Sequence, residues 1–304
     1  MNISWFSRMW SNIKARTGIV IVCSFIIISL VGPLFFEDPN AYVNTPLLKP
    51  SLEHFFGTTG QGQDVFAQTI CGSRATLFIG FLSGFLVVLL GLIVGSAAGF
   101  YGKKTDNLLS LLINIFLLMP GLPLMVIIAA WLPPGPFSIM GVLVFTGWAW
   151  NARVLRSQVL SLRDRDFVNA AIITGESNIK VIIFQIWPQM ISLIMASFIG
   201  ATIYAIGAQV GLEFLGLGDV DKVTWGNNLY WATNDLALLT GSWWTFVPTG
   251  LGIAILSFGL TLINYGIDEI ANPRLLSERV LKSKLTQNFN RNGSTPIDHN
   301  LYEK

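Results

Sequence analysis

Five stretches of this 304-residue chain carry no Asp, Glu, Lys or Arg: residues 17–36, 75–102, 107–152, 181–212 and 236–267. Together they hold 158 residues, just over half the chain. A bilayer core about 30 Å thick takes roughly 20 apolar residues per helical pass. Four of the stretches therefore accommodate one pass each. The 46-residue stretch accommodates two, because Trp131-Leu132-Pro133-Pro134-Gly135-Pro136 cannot continue a helix. With charged residues at only 12% of the whole and mean hydropathy +0.60, a soluble enzyme, a nucleic-acid-binding module and a disordered chain are excluded.

The expected fold is an all-α polytopic membrane protein of six transmembrane helices, at 18–36, 76–100, 108–131, 137–152, 189–212 and 246–265. An even number of passes puts both termini on one side, and the basic residues name it. Segments 1–17, 101–107, 153–188 and 266–304 carry 16 of the 19 Lys and Arg residues; the opposite side carries Lys49, Arg74 and Lys222. Both termini are thus expected in the cytoplasm. Segment 1–17 would precede an uncleaved anchor helix, since no A-x-A site follows it. Next come an extracytoplasmic connection at 37–75, a five-helix core at 76–280 and a polar, disordered tail at 281–304. Cys23 and Cys71 lie too far apart along the first pass and outer connection to pair. The sequon Asn292-Gly293-Ser294 falls in the cytoplasmic tail, away from glycosylation machinery.

Catalytic constellations are missing. The chain has two histidines, His54 and His299, no cluster at metal-ligand spacing, and neither G-x-S-x-G nor H-E-x-x-H. Gly102-Lys103-Lys104-Thr105 resembles a phosphate loop only in part: Ala97 replaces its first glycine and Lys104 stands where the hydroxyl should be.

Other features point to packing or passage. Gly80, Gly84, Gly91, Gly95 and Gly99 repeat mostly at four-residue spacing, which lets membrane helices approach closely. Pro120 and Pro123, in Met119-Pro120-Gly121-Leu122-Pro123, each remove a backbone donor; they fit a packing kink or a bent helix lining a translocation path. Glu213 ends the fifth span, where it can reach water, and fits either a gate in the path or an interfacial acid. Trp131, Trp225, Trp231, Trp243 and Trp244 fit an aromatic belt, or contact with a substrate or docked partner.

The connection 153–188 carries the strongest signal. After Arg163-Asp164-Arg165-Asp166, the stretch Phe167-Val168-Asn169-Ala170-Ala171-Ile172-Ile173-Thr174 reads as a short helix stopped by Gly175. Ser177 can cap a second helix with Ile179, Ile182, Ile183, Ile186 and Trp187 on one face, closed by Pro188. Physical reasoning leaves two uses for the short helix: docking into another protein's groove, or lying flat on the anionic inner leaflet.

These residues resemble the EAA loop of bacterial ABC-importer permeases. Ala170, Ala171, Gly175 and Pro188 keep its residue types and spacing, while Asn169 replaces the usual Glu and Trp187 the usual Leu. Three further motifs resemble the second permease of dipeptide/oligopeptide/nickel importers: Phe56-Gly57-Thr58…Gly62-Gln63-Asp64-Val65, Phe214-Leu215-Gly216-Leu217-Gly218…Trp225-Gly226 and Asn272-Pro273-Arg274-Leu275. In the first, Thr59 and Gln63 stand where the family usually has Asp and Arg. The resemblance implies a type I ABC importer permease fold in the bacterial inner membrane, with Phe167, Asn169, Ala170, Ala171, Gly175 and Pro188 coupling to an ATPase. It implies two cytoplasmic ATPase subunits that hold ATP and Mg, a second homologous permease, an extracytoplasmic substrate-binding protein, surrounding membrane lipid, and no nucleic acid. This chain would bind no cofactor. The cargo implied is short oligopeptides, with short β-linked oligosaccharides such as cello- or chito-oligosaccharides as the alternative; a stand-alone channel is a distant third.

Overall fold

The computed structural model describes residues 9–36 and 38–271. Segment 1–8, the Asn272–Leu275 motif and the tail at 281–304 lie outside these residues. Regular structure among the described residues is helical, apart from one isolated bridge between Thr58 and Asp64.

Helix α1, Ile13–Val31, is capped by Asn12, whose side chain accepts from the Lys14 and Ala15 amides. A 3₁₀ turn, Gly32–Phe35, ends it at Pro33. Helix α2, Val65–Tyr101, begins earlier than the charge-free stretch indicates. Asp64 caps it by accepting from the Ala67 amide at 3.0 Å, and the helix simply carries Arg74 within its third turn. Its 37 residues extend about 55 Å, well beyond the hydrocarbon core.

Helices α3, Lys103–Leu118, and α4, Gly121–Trp131, occupy the expected third span, but they meet at an 87° bend. Pro120 is the N-cap of α4, and Met119 before it is extended, as a residue preceding proline prefers. Pro123 falls in the first turn of α4, where an amide has no intrahelical acceptor, so it breaks nothing. One proline makes the bend.

Helix α5, Pro136–Arg163, then leads to α6, Asp166–Ile173. The expected second amphipathic helix is instead a helical segment containing a π-helical stretch, Val181–Ile186. The Trp187 amide donates to the Ile182 carbonyl, five residues back. This wider turn shifts the register, burying Val181, Ile182 and Ile186 while Ile179 and Ile183 stay exposed. Ser177 occupies the cap position without making a side-chain cap bond. The remaining long elements are α7, Ile191–Phe214, α8, Trp225–Asn234, and α9, Val247–Ala271.

Among the described residues four helices, α1, α2, α7 and α9, are long and apolar enough to cross a membrane; α3 and α4 meet that test only as a bent pair, making up to five. Helix α5 contains the fourth expected span, 137–152, and has the length, but Thr146, Trp148, Trp150 and Asn151 dilute its apolar content.

Helix α2 is the hub, packed along α5, α7 and α1. Its glycines set how closely. A Cβ on Gly91 or Gly95 would strike the backbone around Asn151 and Ala152 of α5, and one on Gly99 would strike Val159. Gly84 meets the Thr202 backbone and Gly80 meets Ile206, both on α7. Helix α1 crosses α9 similarly, Gly18 facing the Gly259 carbonyl and Ala15 facing Gly266. Where lipid is as apolar as the side chains, contact at this range supplies the association energy.

Candidate functional site

The α5–α6 turn lies at one end of the bundle, braced by polar contacts. Arg156 of α5 makes a two-pronged ion pair with Asp106 of α3, at 2.5 and 2.6 Å. Arg163 donates to the Gly99 carbonyl at the end of α2 at 3.3 Å. The Trp187 indole donates to Ser96 of α2 at 2.9 Å.

On this base sits α6, eight residues long. Val168 and Ala171 face inward, into a cluster with Leu155, Val159, Val181, Ile182 and Ile186. The helix ends in a Schellman motif: the Glu176 amide donates to Ala171 O, and the Gly175 amide to Ile172 O. That geometry requires Gly175 at φ +87°, a conformation costly for a residue with a Cβ.

Of the six residues expected to couple, Phe167, Asn169, Ala170 and Gly175 stand together on the exposed side of this helix and its cap. Ala171 is buried on the opposite side and holds the helix to its support. Pro188 is exposed but belongs to the short turn Trp187–Gln189, beyond the π-helical stretch. Ile172 and Ile173, the latter 84% exposed, extend the apolar surface, and sequence reasoning does not single them out. Their position next to the small pair is the signal that could have marked them.

The α3–α4 bend opens a second feature, a cavity of about 580 Å³. Phe116, Met119 and Gly121 bring the bend to it; Thr146, Trp150 and Asn151 line it from α5, and Ser197 and Tyr204 from α7. Its lining holds hydroxyls, one amide and aromatic rings, but no ionisable carboxylate or cationic side chain. Trp150-Asn151 and Tyr204 are polar interruptions of charge-free stretches, which is the signal that could have revealed them.

Glu213 is not part of this cavity, so the structure does not join it to Pro120 and Pro123. Nor does it reach water: it is 2% exposed. Its carboxylate accepts from the Thr224 hydroxyl at 2.7 Å and the Gln209 amide at 3.0 Å, with the Gly226 N–H directed to it as well. Thr224 in turn caps α8 by accepting from the Asn227 amide. A Cβ on Gly226 would overlap Glu213. The acid ties the α7–α8 connection shut. Glu213→Ala leaves these donors buried without an acceptor, at about 1–3 kcal/mol each, whereas Glu213→Gln keeps one carbonyl oxygen. Thermal unfolding of the purified protein should show the Ala variant melting well below the Gln variant; equal melting temperatures with transport lost in both would make Glu213 a gate instead.

The tryptophans divide. Trp131 is 88% exposed and Trp243 also exposed, as a belt requires. Trp225 is 1% exposed; its indole donates to Thr69 O and its backbone amide to Thr76 Oγ1 at 3.0 Å, so it pins α8 to α2. Trp244 is buried too, donating to Thr58 O.

The connection before α2 is built the same way. Gly57 and Gly62 adopt positive φ, and the buried Thr58 hydroxyl accepts from the Leu48 amide and donates to Thr45 O. Asp64 both caps α2 and contacts His54 Nδ1 at 2.8 Å.

Comparison with known proteins agrees with this architecture. Residues 87–277 match the family model described as "Binding-protein-dependent transport system inner membrane component". The oligopeptide transport system permease protein OppC of Bacillus subtilis (strain 168) is 32% identical over 274 residues, 88% of each chain. The dipeptide transport system permease protein DppC of the same organism is 28% identical over 284 residues, 90% of this chain and 87% of its own. OppC of Haemophilus influenzae is 28% identical over 274 residues, 88% and 86% of the two chains. The chain thus belongs to the family of inner membrane components of binding-protein-dependent transport systems: it is a multi-pass transport subunit of the inner membrane, not an enzyme.

Proposed function

We propose that the chain is one of two permease subunits of an ABC importer for short peptides, and that it carries half of the translocation path. The observation that carries the reading is α6: one side is clamped into the bundle through Val168 and Ala171, while Phe167, Asn169, Ala170 and Ile173 are left exposed on the other. A helix lying on lipid would need only the exposed apolar side. A helix that transmits force also needs the brace from Arg156, Arg163 and Trp187 to α2 and α3.

In this reading two ATPase subunits dock on α6 from the cytoplasm, holding ATP and Mg themselves. Closure of the ATPase pair pushes α6, and the brace passes the movement to α2, α3 and α5. The 580 Å³ cavity lies where those helices meet α7, and the second permease would close its open side. An extracytoplasmic binding protein delivers cargo at the other end. Both termini lie in the cytoplasm, and six passes result if α3–α4 and α5 each count as one. The anchor at 18–36, the outer connection at 37–75, the core at 76–280 with its loop at 153–188 and the tail at 281–304 follow this division.

Peptide cargo is supported by the names of the relatives, which are oligopeptide and dipeptide permeases. The oligosaccharide alternative leans on the outer tryptophans, and Trp225 and Trp244 are committed to packing. An uncharged lining of aromatic, hydroxyl and amide groups suits cargo whose backbone repeats while its side chains vary. The assembled complex, reconstituted in liposomes with its binding protein, should accumulate labelled tri- to pentapeptides only when ATP is supplied. Uptake of cello-oligosaccharides in place of peptides would overturn the cargo, and uptake without ATP would overturn the coupling.

A further inference from the structure

Helices α1 and α2, with Phe198 of α7, enclose a groove of about 910 Å³ that the transport reading does not use. Arg74 is the only charged residue in its lining, and the rest is apolar except Ser29 and Cys71. Arg74 is exposed, and its side chain makes no ion pair among the described residues. Below it on α2 come Phe78, Phe81, Leu82 and Phe85, all lining the groove and spaced to share one helix face.

The dimensions are informative. Arg74 immediately precedes the charge-free stretch that starts at residue 75, which puts it towards the interfacial end of α2. Eleven residues at the helical rise place Phe85 about 16 Å deeper, half of a core about 30 Å thick. The groove is therefore one leaflet deep. Across it stand Leu30 and Ile26 of α1, and contact between Gly32 and Ile70 sets the α1 terminus beside the Arg74 turn.

We propose that this groove binds one anionic phospholipid, its phosphate on the Arg74 guanidinium and an acyl chain along Phe78, Leu82 and Phe85. A guanidinium fits phosphate in a two-pronged geometry, and the groove supplies no acid to compete for it. The depth also separates a lipid from a protein helix: a spanning helix would want a groove through both leaflets, and would cover Arg74 without neutralising it unless it brought its own acid. The site lies in the leaflet away from α6.

The test uses the assembled importer in nanodiscs of equal phosphatidylglycerol and phosphatidylcholine, followed by gentle detergent extraction and native mass spectrometry of the retained lipid. Wild type should retain phosphatidylglycerol with about fivefold preference, the enrichment one basic residue confers beside anionic lipid, and Arg74→Lys, which keeps the charge but not the two-pronged geometry, should retain a smaller preference. Arg74→Gln should fall to no preference while keeping its melting temperature, because Arg74 is exposed and makes no ion pair among the described residues. Unchanged preference in Arg74→Gln overturns the proposal, as does a wild-type complex that retains no lipid because a partner chain fills the groove.

Discussion

Gly95→Leu should abolish accumulation of the folded protein in the membrane, while Gly141→Leu, placed on α5, should leave it unchanged. A Cβ at position 95 lies 2.6 Å from the Ala152 carbonyl and 3.0 Å from the Arg156 amide. These are backbone atoms of a neighbouring helix, and they cannot rotate away as a side chain can. Overpacking a tight site costs about 1–3 kcal/mol even when side chains can adjust, and here α2 and α5 must part along their whole contact. Parting them also pulls Arg163 of α5 from the Gly99 carbonyl of α2. A Cβ on Gly141 would have no neighbouring atom within 4 Å, so leucine there meets open space. Membrane-fraction abundance and size-exclusion profile distinguish the two variants; equal abundance would mean that the glycine stripe does not set the packing.

Ala170→Arg should produce the opposite kind of failure. Position 170 is on the exposed side of α6, and arginine is a good helix former, so the bundle should insert and melt as wild type. If α6 docks as proposed, a long, charged side chain there should nonetheless cut ATP-dependent uptake by about a hundredfold, the loss expected when a desolvated charge costs about 3 kcal/mol at an interface. Ala171→Arg, one residue along, puts the charge among Val168, Val181 and Ile182 and should destabilise the loop itself. Uptake and melting together separate a lost docking surface from a lost fold. If Ala170→Arg transports normally, α6 is not where the drive enters.

The charge distribution made the membrane helices legible because burying a charge in hydrocarbon is costly enough to leave a mark in the sequence. The turns were legible for a different reason. Gly175, Gly216, Gly57 and Gly62 all adopt positive φ, so only glycine is comfortable there, and three motifs that mark the family prove to be helix caps and loop braces. Phe214-Leu215-Gly216-Leu217 is one such cap: the Leu217 amide donates to Leu212 O and the Gly216 amide to Glu213 O.

What stayed hidden depends on tertiary geometry. Proline announces a break, but nothing in a one-dimensional pattern gives the 87° angle between α3 and α4. The π-helical stretch escaped because a periodicity argument assumes an α-helical register, and one wider turn exchanges Ile179 for Val181 on the buried side. Glu213 looked like an acid at a water interface because its donors come from Gln209, Thr224 and Gly226, a set assembled only when the α7–α8 connection folds back. Trp225 and Trp244 carry the composition of a belt, yet their indole N–H groups find carbonyls inside the protein.

Whether α6 docks on an ATPase by its exposed side can be measured most directly by site-specific photo-crosslinking in the assembled importer, with the photoreactive residue placed in turn at Phe167, Ala170, Ile173 and, on the far side of the membrane, Leu52. The proposed docking predicts ATPase adducts from the three α6 positions, with yields that change when ATP is added, and none from Leu52. Adducts to lipid alone from all three α6 positions would contradict it and make α6 a helix resting on the membrane surface.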